Sequence, residues 1–225
     1  MSHTPQLVLA LDHRPSHSAD DFIVTPSNRA AATWIERYPN WPAPLLALSG
    51  PAGSGKSHLL QVWRARAAAR VLDPRALDTG ALPRLLGRAR AVALDLGAAG
   101  PAALDEHALF HLYNLMSERS GHVLLAAREA PSRWPIALAD LRSRLLAAPA
   151  AAIEPPDDAL LAAVLGKLFA DRQMRADPAI IGYIARRMER SLDAAGRIVE
   201  ALDREALARR RALSVTLARD VLDKL

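Results

Sequence analysis

The eight residues Gly50-Pro51-Ala52-Gly53-Ser54-Gly55-Lys56-Ser57 have the types and spacing of a loop that cradles phosphate groups. Glycines let the backbone curl until successive N–H groups point at one anion, and a following helix start adds further free amides. The lysine then brings an ammonium to the terminal phosphates, and the serine hydroxyl ligates the accompanying Mg2+. The surroundings agree with this chemistry. An apolar run, Leu45 to Leu48, ends just before the loop, and from Lys56 a helical pattern places Leu59, Leu60, Trp63 and Ala67 on one face. Lys56 is itself informative, because the chain has only three lysines, at 56, 167 and 224, among 29 Lys and Arg. Arginine serves almost everywhere else, so position 56 is one that needs a compact ammonium rather than a planar guanidinium.

A magnesium ion on Ser57 needs a carboxylate from the end of a neighbouring strand, and Ala91-Val92-Ala93-Leu94-Asp95 supplies Asp95. In many ATPases of this kind a second acid follows at once and orients the attacking water. Here Leu96 and Gly97 follow instead. The residues therefore predict a site that binds ATP or ADP with Mg2+ through Gly50 to Ser57 and Asp95, with little hydrolysis of its own. Other constellations are weaker. His107 and His111 stand one helical turn apart and could share a metal, but no third ligand of the expected kind adjoins them, and a sheet-packing helix with two partly exposed histidines is the better reading. There is no Gly-x-Ser-x-Gly elbow and no cysteine, which excludes that serine-hydrolase motif, thiol nucleophiles and a disulfide framework.

The loop requires a sheet to carry it. Strand-length apolar runs at Leu45 to Leu48, Ala91 to Leu96, His122 to Ala127 and Ala150 to Ile153 alternate with helical patterns at Lys56 to Arg70 and Glu106 to Glu118. Such alternation predicts an α/β domain with a parallel sheet and helices on both faces. Beyond the Ala/Pro-rich stretch Leu146 to Pro156 the strand signal disappears. Helical patterns follow at about 158 to 170, 177 to 190, 193 to 211 and 214 to 224. The expected organisation is an extended arm over 1–21, a nucleotide-binding α/β domain over 22–154 and a smaller all-helical domain over 155–225.

With 225 residues and 51% hydrophobic composition the chain can bury a substantial core. The formal charge of +5 invites a nucleic-acid partner, yet the arginines are scattered among alanines and sit beside acids, as in Asp171-Arg172, Glu189-Arg190 and Asp203-Arg204. No basic stripe is visible, so direct DNA binding is not expected. Leu7 to Leu11 is too short for a signal peptide and no run approaches a membrane span, so a cytoplasmic protein without a membrane partner is expected.

Several segments together carry a resemblance that covers nearly the whole chain. They are Asp21-Phe22-Ile23-Val24 with Asn28, the loop continuing as Lys56-Ser57-His58-Leu59-Leu60, the helix Leu109-Phe110-His111-Leu112-Tyr113-Asn114, and Leu141-Arg142-Ser143-Arg144-Leu145. They resemble the DnaA-like AAA+ ATPase family and, more closely, its Hda-type regulatory inactivators. The chain ends at Leu225, after the helical region, with no room for the family's C-terminal DNA-reading helix-turn-helix. The hexapeptide Gln6-Leu7-Val8-Leu9-Ala10-Leu11 is similar to the motif by which such regulators dock on the DNA polymerase sliding clamp (beta subunit), although an apolar arm covering the domain's own core would look the same. The resemblance implies an AAA+ P-loop domain followed by a helical lid, with Phe22, Ile23 and His58 joining the nucleotide site. It implies clamp contacts by Gln6, Leu7, Leu9 and Leu11, and Arg144 as an arginine finger acting in trans on ATP bound to DnaA. It also allows a homo-oligomer. For Arg144 the plainer alternative is a helix cap or domain salt bridge. The sequence departs from the family at both sensors: the first falls at Ala126-Ala127, which has no polar group, and the second near Leu192 or Asp193, with Arg190 or Arg197 an adjacent turn away. A small-molecule kinase and a DNA-binding accessory or loader remain the rival readings.

Overall fold

Leu45–Ser49 (β1) is buried along its whole length and pairs in parallel with His122–Ala127 (β4) on one side and Ala150–Ala152 (β5) on the other. A computed structural model describes residues 22–97, 100–209 and 211–224 of the protein, so the arm residues Gln6, Leu7, Leu9 and Leu11 lie outside the described residues. The remaining strands, Arg70–Leu72 (β2) and Ala91–Asp95 (β3), complete a five-stranded parallel sheet of order β2-β3-β4-β1-β5. The three inner strands are continuous apolar runs because helices cover both of their faces.

Side-chain alternation divides the sheet into two cores. On one face Leu45, Ala47, Val92, Leu94, Val123 and Leu125 pack against Leu82–Leu86 (α3), Glu106–Glu118 (α4) and Ala139–Ala147 (α5). On the other, Leu46, Leu48, Ala93, Leu124 and Ala126 pack against Arg29–Glu36 (α1) and Lys56–Ala67 (α2). Helix α4 buries Leu109, Leu112, Tyr113 and Met116, the face its spacing predicts. Asp105 caps it by accepting from Ala108 N at 3.1 Å.

After β5 come four helices, Asp158–Asp171 (α6), Pro178–Ala185 (α7), Leu192–Arg209 (α8) and Val215–Leu222 (α9), which share a core of their own that includes Leu165, Phe169, Ile184, Val199, Leu202 and Val221. Side-chain caps start all four: Asp157, Asp177, Ser191 and Ser214 accept from backbone N–H groups at 2.7 to 3.3 Å. None of the described helices is long and apolar enough to cross a membrane.

Some details depart from the periodicity. Helix α2 ends at Ala67, with Ala68 left-handed at φ 48°, and the chain enters β2 where the helical pattern had run on to Arg70. Strand β2 escaped detection because it is an edge strand of three residues with only Leu72 buried. Helix α7 stops at Ala185, short of the expected 190, and the turn that follows brings Ser191 to the start of α8.

Under the strand starts lies an aromatic nest. Trp41 stacks on Trp63 with centroids 5.5 Å apart, Tyr38 meets both edge-on, and His122 meets Tyr38 and Trp41 edge-on at 5.3 Å. Burial pushes the His122 imidazole below its ordinary range, partly offset by a hydrogen bond to the Pro39 backbone. The unfolded chain therefore takes up the proton first, so stability is lost as the pH falls below the free-imidazole value of about 6.5. His122→Phe should flatten that acid limb of the urea midpoint against pH, whereas an unchanged limb would assign the loss to other groups.

Candidate functional site

The site begins where β1 runs out. Gly50 N–H donates to Arg128 O at 3.2 Å and Ile153 N–H donates to Ser49 O at 2.7 Å, so both neighbouring chains pin the point at which the loop departs. A Cβ on Gly50 would lie 2.3 Å from Ile153 O, a backbone atom with nowhere to go. The loop then curls over Gly53, left-handed at φ 67°, and enters α2 through Gly55, whose position at the helix start provides no side-chain cap. The amides of Lys56 and Ser57 at the start of α2 have no acceptor among the described residues, as an anion site requires.

Lys56 is 7% exposed, and its Nζ donates to Gly50 O at 2.8 Å and Pro51 O at 2.7 Å, with Ser54 Oγ at 3.5 Å. Burial lowers its pKa; Asp95 opposes that shift, Arg128 adds to it, and Asp193 opposes it. Ser57 Oγ donates to Asp95 Oδ2 at 2.6 Å, and Asp95 Oδ1 accepts from Gly97 N at 2.9 Å. A hydroxyl and a carboxylate thus meet beside the loop as a pair of hard oxygen donors, a set that fits Mg2+.

Above the loop lies a cleft of about 520 Å³, within the ordinary range for a small-molecule site. Gly53, Gly55, Lys56, Ser57 and His58 form its floor and Ile23 one side, while Val164 and Leu168 of α6 and Leu192 and Arg197 of α8 form its roof. The roof touches the floor directly. Leu192 N–H, at the start of α8, donates to Gly53 O at 2.8 Å, and a Cβ on Gly53 would lie 2.0 Å from the Oγ of buried Ser191.

Not every residue expected at the site walls this cleft. Gly50 and Ser54 form the loop's framework, and Pro51 and Ala52 are exposed on its outer side, with Pro51 contributing its carbonyl to Lys56. Phe22 stands one layer out, edge-on to His58 at 5.5 Å. At the end of β4, Ala126 and Ala127 are fully buried and offer no polar group. Arg197 reaches the cleft, whereas Arg190 turns to Asp158 at 2.8 Å and Pro156 O at 3.2 Å. Arg144 is not a cleft residue: it is exposed on α5 with its guanidinium 5.7 Å from the Tyr113 ring centroid. Helix α5 is fixed by buried Leu141 and Leu145 and by Glu106, whose carboxylate accepts from Ala137 N at 3.0 Å and Leu138 N at 2.7 Å. Those two bonds hold the Glu106 carboxyl below its ordinary range. Neither Glu106, nor Ser191, nor the roof residues of α6 carry a local motif that would have singled them out.

A phosphate loop at the end of an inner strand, a serine–aspartate pair beside it and a helical roof define a P-loop protein, and the sheet with its helical C-terminal region has the AAA+ fold. No protein-family model matches the chain. Among solved structures it is similar to domain III of the Thermotoga maritima replication initiation protein DnaA, with a TM-score of 0.75 and 18% identity over 94% of this chain and 97% of that one. A replication initiator DnaA bound to AMPPCP and single-stranded DNA gives 0.66 and 18% over 88% and 68%. A mutant RuvB from Thermotoga maritima gives 0.74 and 14% over 93% and 72%.

Because loop and roof share the Gly53 contact, Gly53→Ala should strain the left-handed backbone and part the two. The expected cost is about 1–3 kcal/mol, read as a lowered Tm together with faster hydrogen exchange at the Leu192 amide. An unchanged Leu192 exchange rate would show that the roof does not depend on this contact.

Proposed function

We propose that this chain is a nucleotide-held regulator of replication initiation of the Hda type. The observation that carries the reading is the assembled set of Lys56, Ser57 and Asp95 under a closed roof, with buried Leu96 in the place where a water-orienting acid would stand. Gly53, Gly55 and the α2 amides take the phosphates, and Lys56 neutralises the terminal ones. Ile23, Val164, Leu168 and Leu192 give an apolar slot for the base, with His58 at its edge. Ser57 and Asp95 would hold Mg2+, which would offset the charge of the phosphates. The same arrangement serves ADP or ATP, and it favours retention over turnover.

The regulator's action falls on a partner. Gln6, Leu7, Leu9 and Leu11 dock on the DNA polymerase sliding clamp, and Arg144 reaches the γ-phosphate of ATP held by DnaA. Arg144 is suited to work in trans because it is exposed on an anchored helix rather than turned into its own cleft. A guanidinium brought to a phosphoryl transition state places several fixed donors where charge spreads over the equatorial oxygens.

Two outcomes are expected. The purified chain should hold Mg2+-ADP and lose it on Lys56→Ala, measured by calorimetry, while turning over ATP far more slowly than the order of 1 per second of working enzymes. Fast turnover by the isolated chain would refute the retention reading. With DNA-loaded clamp and ATP-DnaA present, the wild type should raise hydrolysis by about 10³-fold or more. Arg144→Ala should abolish the effect and keep ADP and clamp binding; Gln6→Ala with Leu11→Ala should lose clamp binding, and with it the clamp-dependent stimulation, while keeping ADP binding. Full stimulation by the Arg144 variant and its loss with Arg142→Ala would move the finger to Arg142, and indifference to both would end the trans mechanism.

A further inference from the structure

Charge is distributed unevenly between the two parts of the protein. Every ion pair among the described residues joins side chains within 158–224: Arg190 with Asp158, Arg197 with Glu189, Arg204 with Glu200, Arg209 with Glu205 and Asp220, and Lys224 with Glu205. The arginines of the sheet unit have no carboxylate partner among the described residues. The fold then gathers five of them at one place, the end of the sheet where β2, β3 and β4 start. Arg70, the first residue of β2, donates to Leu85 O, and Arg119, just after α4, donates to Gly87 O at 2.9 Å. Both bonds fall on the short segment that carries Arg84, Arg88 and Arg90, and the Arg90 carbonyl is itself fixed by His122 N–H at 2.8 Å. From residue 79 to residue 94 the chain contains no acid, and Glu118 is the nearest in sequence to Arg119.

Helix ends explain part of this cluster. Cations belong near the C-terminal carbonyls of α3, and Arg70 and Arg119 are engaged there. The guanidiniums of Arg84, Arg88 and Arg90 belong to exposed residues and make no hydrogen bond or ion pair among the described residues. They add like charge to a spot that already holds two guanidiniums, an arrangement that a polyanion relieves.

We propose that this arginine-rich strand-start end is a docking surface for duplex DNA, held by its phosphate backbone without regard to base sequence. Guanidinium forks match phosphate oxygens and release counterions from the duplex. Single strands are gripped by stacking bases on aromatic rings, and none of the large apolar side chains exposed among the described residues is aromatic. An anionic membrane would call for apolar side chains to insert, and the only large one exposed on these elements is Val71.

The test measures anisotropy of a labelled random-sequence duplex against the full chain from about 50 to 200 mM salt. Replacing Arg84, Arg88 and Arg90 together by Ala should weaken binding about 10-fold or more at the low-salt end and reduce the slope of log affinity against log salt by roughly 2 to 3, near 0.9 for each phosphate contact removed. ADP binding should be untouched, which separates this surface from the nucleotide site. Removing the same number of arginines from the helical unit, Arg175, Arg204 and Arg219, should change the slope little. The proposal is overturned if the wild type does not bind duplex at low salt, if the sheet triple variant binds like wild type, or if the helical triple variant loses as much. Tighter binding of single-stranded DNA, or of phosphatidylserine vesicles in place of duplex, overturns it equally. Should the alanine variant not fold, Arg84→Gln, Arg88→Gln and Arg90→Gln gives the same readout with the aliphatic stems kept.

Discussion

Lys56 Nζ closes the phosphate loop on itself, with Gly50 O at 2.8 Å and Pro51 O at 2.7 Å, and a nearly buried ammonium can stay there only while those oxygens surround it. Other features of the site follow from that contact. The loop must leave β1 and return to α2 within a few residues, so its first glycine sits against the Ile153 backbone where no side chain fits. Strand β1 must not shift, and it lies between β4 and β5 with all five of its residues buried. Trp63, on the helix that begins with Lys56, is fully buried against Trp41, and this anchors the other end of the same rigid piece. The ammonium is thus held by backbone, and the backbone by two hydrophobic cores.

The roof gives this arrangement its functional geometry. Helices α6 to α9 cohere through their own core, yet α8 starts on the loop, its Leu192 amide bonded to Gly53 and Ser191 packed into the space that a glycine leaves. A ligand entering the cleft touches Lys56 and Ser57 below and Leu192 and Arg197 above. Its binding energy is therefore shared between the two parts, and a change in the loop is a change in where the roof begins. That coupling requires glycine at 53 for two separate reasons, the left-handed backbone and the bare Cα.

Much of this was legible from residue types. The loop, the inner strands β1, β3 and β4, the limits of α4 and the Ser57–Asp95 pair all follow from patterns confined to a few neighbouring residues. What escaped depends on contacts distant in the chain. Strand β2 shows no alternation because only one of its three residues is buried, and Ala68 ends α2 in a left-handed turn with no glycine to announce it. Ser191 looks like any turn serine until α8 places it over Gly53. Glu106 reads as an ordinary first-turn acid until its carboxylate is found on the Ala137 and Leu138 amides. Phe22 belongs to a segment that resembles a base-contacting one, but its ring makes a T-shaped contact with His58, and Ile23 is the residue of that segment that lines the cleft.

Charge shows the same division between what neighbours decide and what folding decides. In a helical unit, partners lie one turn apart along the chain, so Glu200 with Arg204 and Glu205 with Arg209 can be read directly as balanced pairs. In a parallel sheet, the residues that meet at one end are separated by whole crossovers. Arg70, Arg88 and Arg119 begin or precede three successive neighbours in the strand order, and no scan for basic runs connects them. Scatter along the chain is therefore evidence about the helical unit and not about the sheet. Ion pairs among the described residues offset part of the charge in the helical unit, while five arginines gather at the strand-start end of the sheet. A polyanion responds to the concentrated edge, because its phosphates sense the field of neighbouring guanidiniums together and not the average over the surface.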